Sequence, residues 1–109
     1  MSFDVISLKS FDKQAKRLSK KYPSLKKELS QLIISLSEEP VQGSPIGHGC
    51  YKIRFAISSK GRGKSGGARV ITNIFVKGKI IFLLSIYDKS EVGTISDADL
   101  LTLLSGLSI

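Results

Sequence analysis

Two kinds of hydrophobic periodicity divide the 109-residue chain into a helical first part and a strand-rich second part. Before residue 40, apolar side chains recur every three to four positions, a spacing that places them on one face of an α-helix. After residue 50 they alternate with polar residues or form short apolar runs, which is typical of β-strands. The order of the two patterns predicts an α+β protein.

Two helices are predicted in the first part. The apolar residues of the segment 11–22 fit one helical stripe, and Ser10 is the expected N-cap. Pro23 interrupts this stripe, and a second one runs from residue 25 to residue 36. Pro40 sets the expected end of the second helix, because the residue before a proline avoids the α region. The two helices should pack as a short αα-hairpin.

Four strands are predicted around this hairpin. The segment 3–8 (FDVISL) opens the chain as a strand, and the stretch 39–50, rich in proline and glycine, is predicted to be a loop. The segments 51–57, 68–76 and 80–87 then follow as strands. The last of them is apolar throughout, so we expect it to be covered on both faces.

Short connections join the later elements. The segment 77–79 (KGK) is a predicted tight turn, and Ser96 with Asp99 predicts the capped start of a short C-terminal helix. The predicted order is thus β-α-α-β-β-β-α. We expect one domain over residues 1–109, an antiparallel twisted sheet with the two N-terminal helices on one of its faces.

The net charge and the cysteine content favour some binding partners and exclude some kinds of site. Seventeen Lys and Arg residues against nine Asp and Glu give a net charge of +8, which attracts nucleic acid, an anionic membrane surface or an acidic partner. Cys50 is the only cysteine, which excludes an intramolecular disulfide and a Cys₂His₂ zinc site. The N-terminus is too polar for a signal peptide, and no apolar run approaches the roughly 18 residues of a membrane span. We expect a cytoplasmic protein without membrane contact, metal or cofactor.

The segment 61–66, GRGKSG, has the glycine spacing of dinucleotide-binding loops and of kinase phosphate loops. A Walker A loop also requires a glycine at position 58, where this chain has Ser58. Walker and Rossmann loops further require a helix directly after the glycines, and a predicted strand stands there instead. We therefore interpret the segment as a basic hairpin loop, which either grips a phosphate backbone or serves solubility alone.

Two basic surfaces outside the sheet are candidates for RNA contact, because such contacts are made mostly to phosphates. The hairpin loop and the residue before it supply Lys60, Arg62 and Lys64, with no acidic residue among them. The outer face of the first helix supplies the second set, which consists of Lys13, Lys16, Arg17 and Lys20.

The predicted sheet carries the candidate catalytic residues. Lys52 and Arg54 share parity and therefore leave the same face of one strand. Arg69 opens the next strand, while Tyr87 and Lys89 share parity at the end of the last. Together they would form a site for a phosphodiester, since arginine holds phosphate oxygens through two donors and lysine near other cations can lose a proton. The alternative is an ordinary solvated face of an antiparallel sheet.

His48, the only histidine, lies between two glycines just before the basic strand. Its side chain could act as an auxiliary acid or base at the same site. The alternative is an exposed histidine in a loop.

Four segments that follow two basic helices resemble motifs of a known family, and they stand in the same order along the chain. They are similar to motifs of the RelE/ParE superfamily of toxins from type II toxin–antitoxin systems, most of all in its HigB-like, RelE-type branch. The resemblance covers nearly the whole chain, and it implies a microbial RNase-like fold, a toxin that cuts mRNA in the ribosomal A site, and a cognate antitoxin that wraps or caps it. The segments are CYKIR (50–54), KGRGKSGGARVIT (60–72), FLLSIYDKSE (82–91) and ISDADLLTLL (95–104).

The resemblance also implies roles for single residues. Basic residues on the middle strands of RelE-like toxins hold and activate the scissile phosphate, and the matching motifs here supply Lys52, Arg54, Arg69 and Lys89. Many members carry a catalytic tyrosine a few residues after the last strand, whereas this chain reads SEVGTIS there. Tyr87, at the end of the strand, is the nearby phenol that could replace it.

Two other functions stay open from the sequence. A ParE-like toxin has the same fold but poisons gyrase, and that branch lacks the basic constellation that this chain retains. A basic module that binds an antitoxin without catalysis is the second alternative, and the missing downstream tyrosine keeps it open.

Overall fold

The computed structural model describes residues 2–60, 66–92 and 94–107 of the chain. Within these residues, five strands and three α-helices follow one another in an order that begins with a strand and two helices. A single turn of 3₁₀-helix, Ser58–Lys60, comes after the third strand. The elements are β1 (Asp4–Ser7), α1 (Lys9–Lys21), α2 (Leu25–Glu38), β2 (Ser44–Gly47), β3 (Cys50–Phe55), β4 (Ala68–Phe75), β5 (Ile80–Asp88) and α3 (Asp97–Leu104).

The strands form one sheet in the order β1-β5-β4-β3-β2. Three of the four neighbouring pairs are antiparallel, but β1 and β5 are parallel, so the sheet is mixed. The prediction of a mainly antiparallel sheet is therefore confirmed. The parallel pair arises because β2, which the sequence does not predict, adds one reversal of chain direction between β1 and β5.

β2 lies in the stretch that the sequence predicts to be a loop. Its residues pair with the start of β3, with Ser44 opposite Lys52 and Pro45 opposite Tyr51. Proline is tolerated there because β2 is an edge strand. The turn into β3 consists of residues with positive φ, namely Gly47 at 92°, His48 at 57° and Gly49 at 73°. Gly-His-Gly is thus a hairpin turn, and a strand before it could have been predicted on that basis.

Each face of the sheet has its own apolar cluster, which explains why β5 is buried on both sides as predicted. The helix face packs against α1 and α2 through Phe11, Leu18, Leu25, Leu29, Leu36, Ile53, Phe55, Val70, Ile81, Leu83 and Ile86. The opposite face packs against α3 and comprises Cys50, Ile71, Phe82, Leu84, Tyr87 and Leu100.

Several local predictions can be compared directly with the structure. The bounds of α2 and the turn before β5 are confirmed, and Ser96 accepts a hydrogen bond from the Asp99 backbone N–H at 3.0 Å as the cap of α3. The prediction that Ser10 caps α1 is wrong. The N-cap residue is Leu8, and the Ser10 hydroxyl instead donates to the Leu84 carbonyl on β5, 3.1 Å away.

Candidate functional site

Three of the predicted site residues form one row across the sheet. Arg54 on β3 lies opposite Arg69 on β4, and Arg69 lies opposite Tyr87 on β5. Residues directly opposite one another project from the same face, so two guanidinium groups and a phenol share one surface. Two like charges opposite each other disfavour folding, which makes this pair a candidate for function rather than for stability.

This face of the sheet is partly covered by other parts of the chain. Arg54 is exposed, whereas Arg69 and Tyr87 are only 5% and 6% exposed. The cover comes from α3 and the residues before it, because Leu100 is buried in the same apolar cluster as Tyr87 and Ile95 packs against that cluster. The sequence predicts α3 but gives no indication of the face on which it packs.

The environment of Tyr87 favours the protonated phenol. Burial raises the pKa of Tyr87, while the Ile95 backbone amide and the charge of Arg69 act weakly in the opposite direction. Within the described residues, the hydroxyl makes no hydrogen bond of normal geometry. A cavity of about 280 Å³ adjoins the ring, lined in part by Ser85, Ile95 and Thr102. The Tyr87 hydroxyl therefore keeps its proton at neutral pH.

Lys52 and Lys89 lie near the row in sequence. Lys52 lies two residues before Arg54 on the same face of β3, is half-buried and lines a small cavity with Ser96 and Asp97 at the start of α3. Lys89 follows Tyr87 by two residues, and its backbone N–H donates to the Gly67 carbonyl at 3.0 Å. Lys52 therefore shares the face of the row, and Lys89 comes directly after the end of β5.

Lys60 lies on the opposite side of the sheet and is held by an ion pair. Its ammonium group contacts the buried Asp88 carboxylate, which also accepts hydrogen bonds from the Tyr22 hydroxyl at 2.5 Å and the Ser90 hydroxyl at 2.7 Å. Burial by itself would raise the pKa of Asp88, but hydrogen bonds from Lys60, Tyr22 and Ser90 lower it far below the ordinary value. The Lys60 ammonium group is therefore held within the fold, unlike the exposed lysines of the predicted RNA-binding set.

A second carboxylate anchors the same part of the chain to α2. Glu28 accepts hydrogen bonds from the Ser58 backbone N–H at 3.0 Å and from the Ser24 hydroxyl at 2.7 Å. Burial opposes ionisation, but these hydrogen bonds together leave the pKa of Glu28 below its ordinary value. Glu28 and Asp88 thus hold the chain where it leaves β3. Sequence reasoning missed both, although an aspartate at the end of an apolar strand indicates a paired buried charge.

His48 and the loop residues Arg62 and Lys64 are further predicted site residues. His48 lies at the β2–β3 turn, where its Nε2 is 3.5 Å from the Asp97 carboxylate, and Arg54 lies roughly 20 Å further along the strand at 3.3 Å per residue. The structure therefore does not bring His48 to the row. Arg62 and Lys64 lie outside the described residues.

The basic face of α1 is exposed and reaches the end of β5. Arg17 forms a two-pronged ion pair with Glu91, at 3.2 and 3.3 Å, and so joins α1 to the residues that follow Tyr87. Lys13, Lys16 and Lys20 are exposed on the same helix. This surface therefore lies on the helix side of the sheet and meets the residues after β5 through the ion pair of Arg17 with Glu91.

Two further findings concern metals and membranes. Across residues 2–60, 66–92 and 94–107, no three His, Cys, Asp or Glu side chains cluster closely enough to hold a metal ion. None of the helices in these ranges has both the length and the apolar character needed to cross a bilayer.

Comparison with known proteins gives a clear result for the fold. No family profile matches the chain, and no curated protein is similar to it in sequence. A chain of the RelBE2 toxin–antitoxin complex from Mycobacterium tuberculosis matches with a TM-score of 0.62 and 17% identity, over 81% of this chain and 99% of that one.

Two structures of the E. coli RelE toxin match as well. The isolated toxin gives a TM-score of 0.61 and 15% identity, over 97% of this chain and 100% of the other. A double mutant of RelE in the free state gives 0.56 and 15%, over 85% and 90% of the two chains. The predicted RelE-like fold is therefore confirmed.

Proposed function

We propose that the protein is a RelE-type toxin of a type II toxin–antitoxin system and acts as a ribosome-dependent mRNA endoribonuclease. The observation that carries the proposal is the row of Arg54, Arg69 and Tyr87, flanked by Lys52 and Lys89, on one face of a RelE-like sheet. A fold alone does not determine an activity, so the proposal depends on these side chains.

The residues of the row match the needs of RNA cleavage. Attack of the 2′-hydroxyl on phosphorus releases its proton to solvent, forms one P–O bond and breaks the bond to the 5′-oxygen, with negative charge building up on the phosphorane. Arg69 and Lys89 are assigned to that charge, and Lys52 and Arg54 to positioning of the RNA. Tyr87, which keeps its proton at neutral pH because burial raises its pKa, is assigned to protonation of the leaving 5′-oxygen.

RNA can contact the buried members of the row only after the cover moves. Arg69 and Tyr87 lie beneath Ile95 and Leu100, which hold α3 and the residues before it on the sheet. We expect binding to the ribosome and mRNA to displace this segment. The active protein would then differ from the present structure mainly at its C-terminal end.

The partners follow from charge and from the comparison. The exposed lysines of α1 and the net charge of +8 suit the phosphate backbone of ribosomal RNA. The matched structure from M. tuberculosis is a toxin–antitoxin complex, and by analogy we expect a cognate antitoxin for this chain. Both partners imply a cytoplasmic location.

Controlled expression in a bacterial host tests the proposal. The wild-type protein should arrest growth and deplete mRNA on ribosomes, whereas a protein carrying both Arg69→Ala and Lys89→Ala should do neither at equal abundance. Equal growth arrest by the double variant would show that the site is wrongly assigned. A DNA-damage response without mRNA cleavage would indicate gyrase poisoning, and an inert wild-type protein would favour a non-catalytic binding module.

A further inference from the structure

The outer edge of β5 changes its partner halfway along the strand. β1 pairs with β5 only as far as Leu83. Beyond that residue a side chain of α1 takes over, because the Gln14 Oε1 atom accepts a hydrogen bond from the Ile86 backbone N–H at 3.0 Å. The Ser85 hydroxyl donates to the same oxygen at 3.1 Å. Gln14 thus binds the part of β5 that comes directly before Tyr87.

These two contacts determine how the Gln14 carboxamide is oriented. A backbone N–H can only donate a hydrogen bond, so the carboxamide atom that faces Ile86 is the oxygen. The Nε2 group, a donor with two hydrogens, is then the part of the side chain that remains for another partner. Within residues 2–60, 66–92 and 94–107, Nε2 makes no hydrogen bond.

Gln14 also lines the cavity of about 280 Å³ that adjoins Tyr87. Gln14 is half-buried there, and Tyr87 is buried. The Tyr87 hydroxyl keeps its proton and has no hydrogen bond of normal geometry among the described residues. Two donors without partners therefore border one cavity, and both need an acceptor.

The opposite wall of this cavity belongs to the cover of the sheet. Asp99 and Thr102, both on α3, line that wall. The Asp99 carboxylate disfavours a phosphate group as long as α3 stays in place. Gln14 and Tyr87 belong instead to α1 and β5, which the expected displacement of α3 does not move. After that displacement, both donors remain at the site and the carboxylate is gone.

A phosphate group of RNA matches the free donor of Gln14 better than a base does. Nε2 can donate but cannot accept, and every nucleotide of an RNA chain supplies phosphate oxygens as acceptors. Paired recognition of adenine by glutamine uses both the oxygen and the nitrogen of the carboxamide, whereas here β5 occupies the oxygen. The contact would therefore position RNA without reading its sequence.

We propose that Gln14 is a further RNA-binding residue of this site, whose Nε2 group donates a hydrogen bond to a phosphate oxygen next to the bond that is cut. The role of that RNA as a substrate rests on the proposed function. α1 contributes a neutral donor in this way, in addition to the exposed lysines of its outer face. The carboxamide is held in place before RNA binds, because Oε1 is already bound to β5.

Two substitutions separate the RNA contact from support of β5. Gln14→Glu keeps an oxygen acceptor for β5 but has no donor, whereas Gln14→Lys keeps a donor for phosphate but has no acceptor. On ribosomes, Gln14→Glu should lower kcat/KM for mRNA cleavage about 10- to 100-fold at an unchanged urea midpoint, because a hydrogen bond to a charged group is lost. Gln14→Lys should keep cleavage within about threefold and lower the urea midpoint, because lysine binds phosphate as a point charge.

Ser19→Glu is the control for the added negative charge. Ser19 lines the groove between α1 and α2, so its side chain points away from the cavity. This variant should lower kcat/KM by no more than about threefold, as expected for a change in net charge alone. Equal losses from Ser19→Glu and Gln14→Glu would overturn the proposal. So would normal cleavage by Gln14→Glu with impaired cleavage by Gln14→Lys, because that order indicates support of β5 alone.

Ribosomes whose mRNA carries a 2′-deoxynucleotide at the cleavage position separate this proposal from the proposed function. Such mRNA keeps its phosphates but lacks the 2′-hydroxyl that cleavage requires. Gln14→Glu should bind these ribosomes at least about tenfold more weakly than the wild-type protein does. Weaker binding, with no cleavage of natural mRNA by the wild type, would support the contact and reject the endoribonuclease. Equal binding by the two proteins would overturn the contact, whether or not natural mRNA is cut.

Discussion

The two faces of the sheet handle positive charge in opposite ways. On the helix face, the Lys60 ammonium is paired with the buried Asp88 carboxylate, and further hydrogen bonds complete that cluster. On the α3 face, Arg54 and Arg69 lie opposite each other with Tyr87 beside them. The first arrangement stabilises the fold, and the second is the one that we propose binds a phosphate. Substitutions on the two faces should therefore affect different quantities.

The largest effect is expected at the centre of the α3 face. Arg69→Ala should lower mRNA cleavage by about 100- to 1000-fold, because a preorganised donor to the transition-state charge is lost. Its free energy of unfolding should fall by about 1 kcal/mol, because the buried hydrogen bond from the Arg69 guanidinium to the Ala68 carbonyl is lost while repulsion from Arg54 is relieved. Cleavage kinetics and urea unfolding measure these two quantities. A large loss of stability with normal cleavage would mean that Arg69 stabilises the fold and does not act in cleavage.

Substitutions on the helix face should lower the stability of the fold rather than the cleavage activity. Asp88→Asn should lower the free energy of unfolding by about 3 kcal/mol, because Lys60 would remain buried without a counter-charge. Glu91→Ala, which removes the exposed partner of Arg17, is the matched control and should cost at most about 1 kcal/mol. Equal losses from the two variants in chemical denaturation would argue against a special role for the buried pair.

Tyr87→Phe removes the hydroxyl group of Tyr87 but keeps its ring, so it tests the proposed proton donor without changing the packing of the α3 face. Cleavage should fall about 100-fold, as expected for loss of a general acid, while the free energy of unfolding should hold or rise. The stability is expected to hold because the buried hydroxyl has no normal hydrogen bond within the described residues. Unchanged cleavage by this variant would exclude Tyr87 as the acid.

The carboxylates of the helix face also predict how stability depends on pH. The folded-state pKa values of Asp88 and Glu28 lie below their ordinary values of 3.8 and 4.5. Their contribution to stability is therefore complete above about pH 5 and is lost as the pH falls through and below 4. The slope of unfolding free energy against pH in this range should be smaller in the Asp88→Asn variant, and an equal slope in both proteins would contradict the assignment.

The sequence predicts which side chains share a face of the sheet, but it does not predict which residues those side chains contact. Parity along β3 places Lys52 and Arg54 on one face, because alternation is a local property of a strand. The row itself depends on the register between three strands, which no single segment contains. The ion pair of Lys60 is not predicted for the same reason, since its partner Asp88 lies 28 residues away.

The unpredicted strand has a different cause. β2 has four residues and includes Pro45, so its composition favours a loop, and its pairing with β3 alone makes it a strand. The parallel pairing of β1 with β5 could not be inferred either, because it depends on the extra reversal of chain direction that β2 introduces.

Mapping of mRNA 5′ ends in a reconstituted translation reaction tests the central claim most directly. With wild-type protein, we predict cuts within the ribosomal A-site codon that require the ribosome, and at least about 100-fold fewer cuts with the Arg69→Ala and Lys89→Ala double variant. Intact mRNA with folded wild-type protein, or equal cleavage by the two proteins, would contradict the claim that the basic row on the α3 face cleaves RNA.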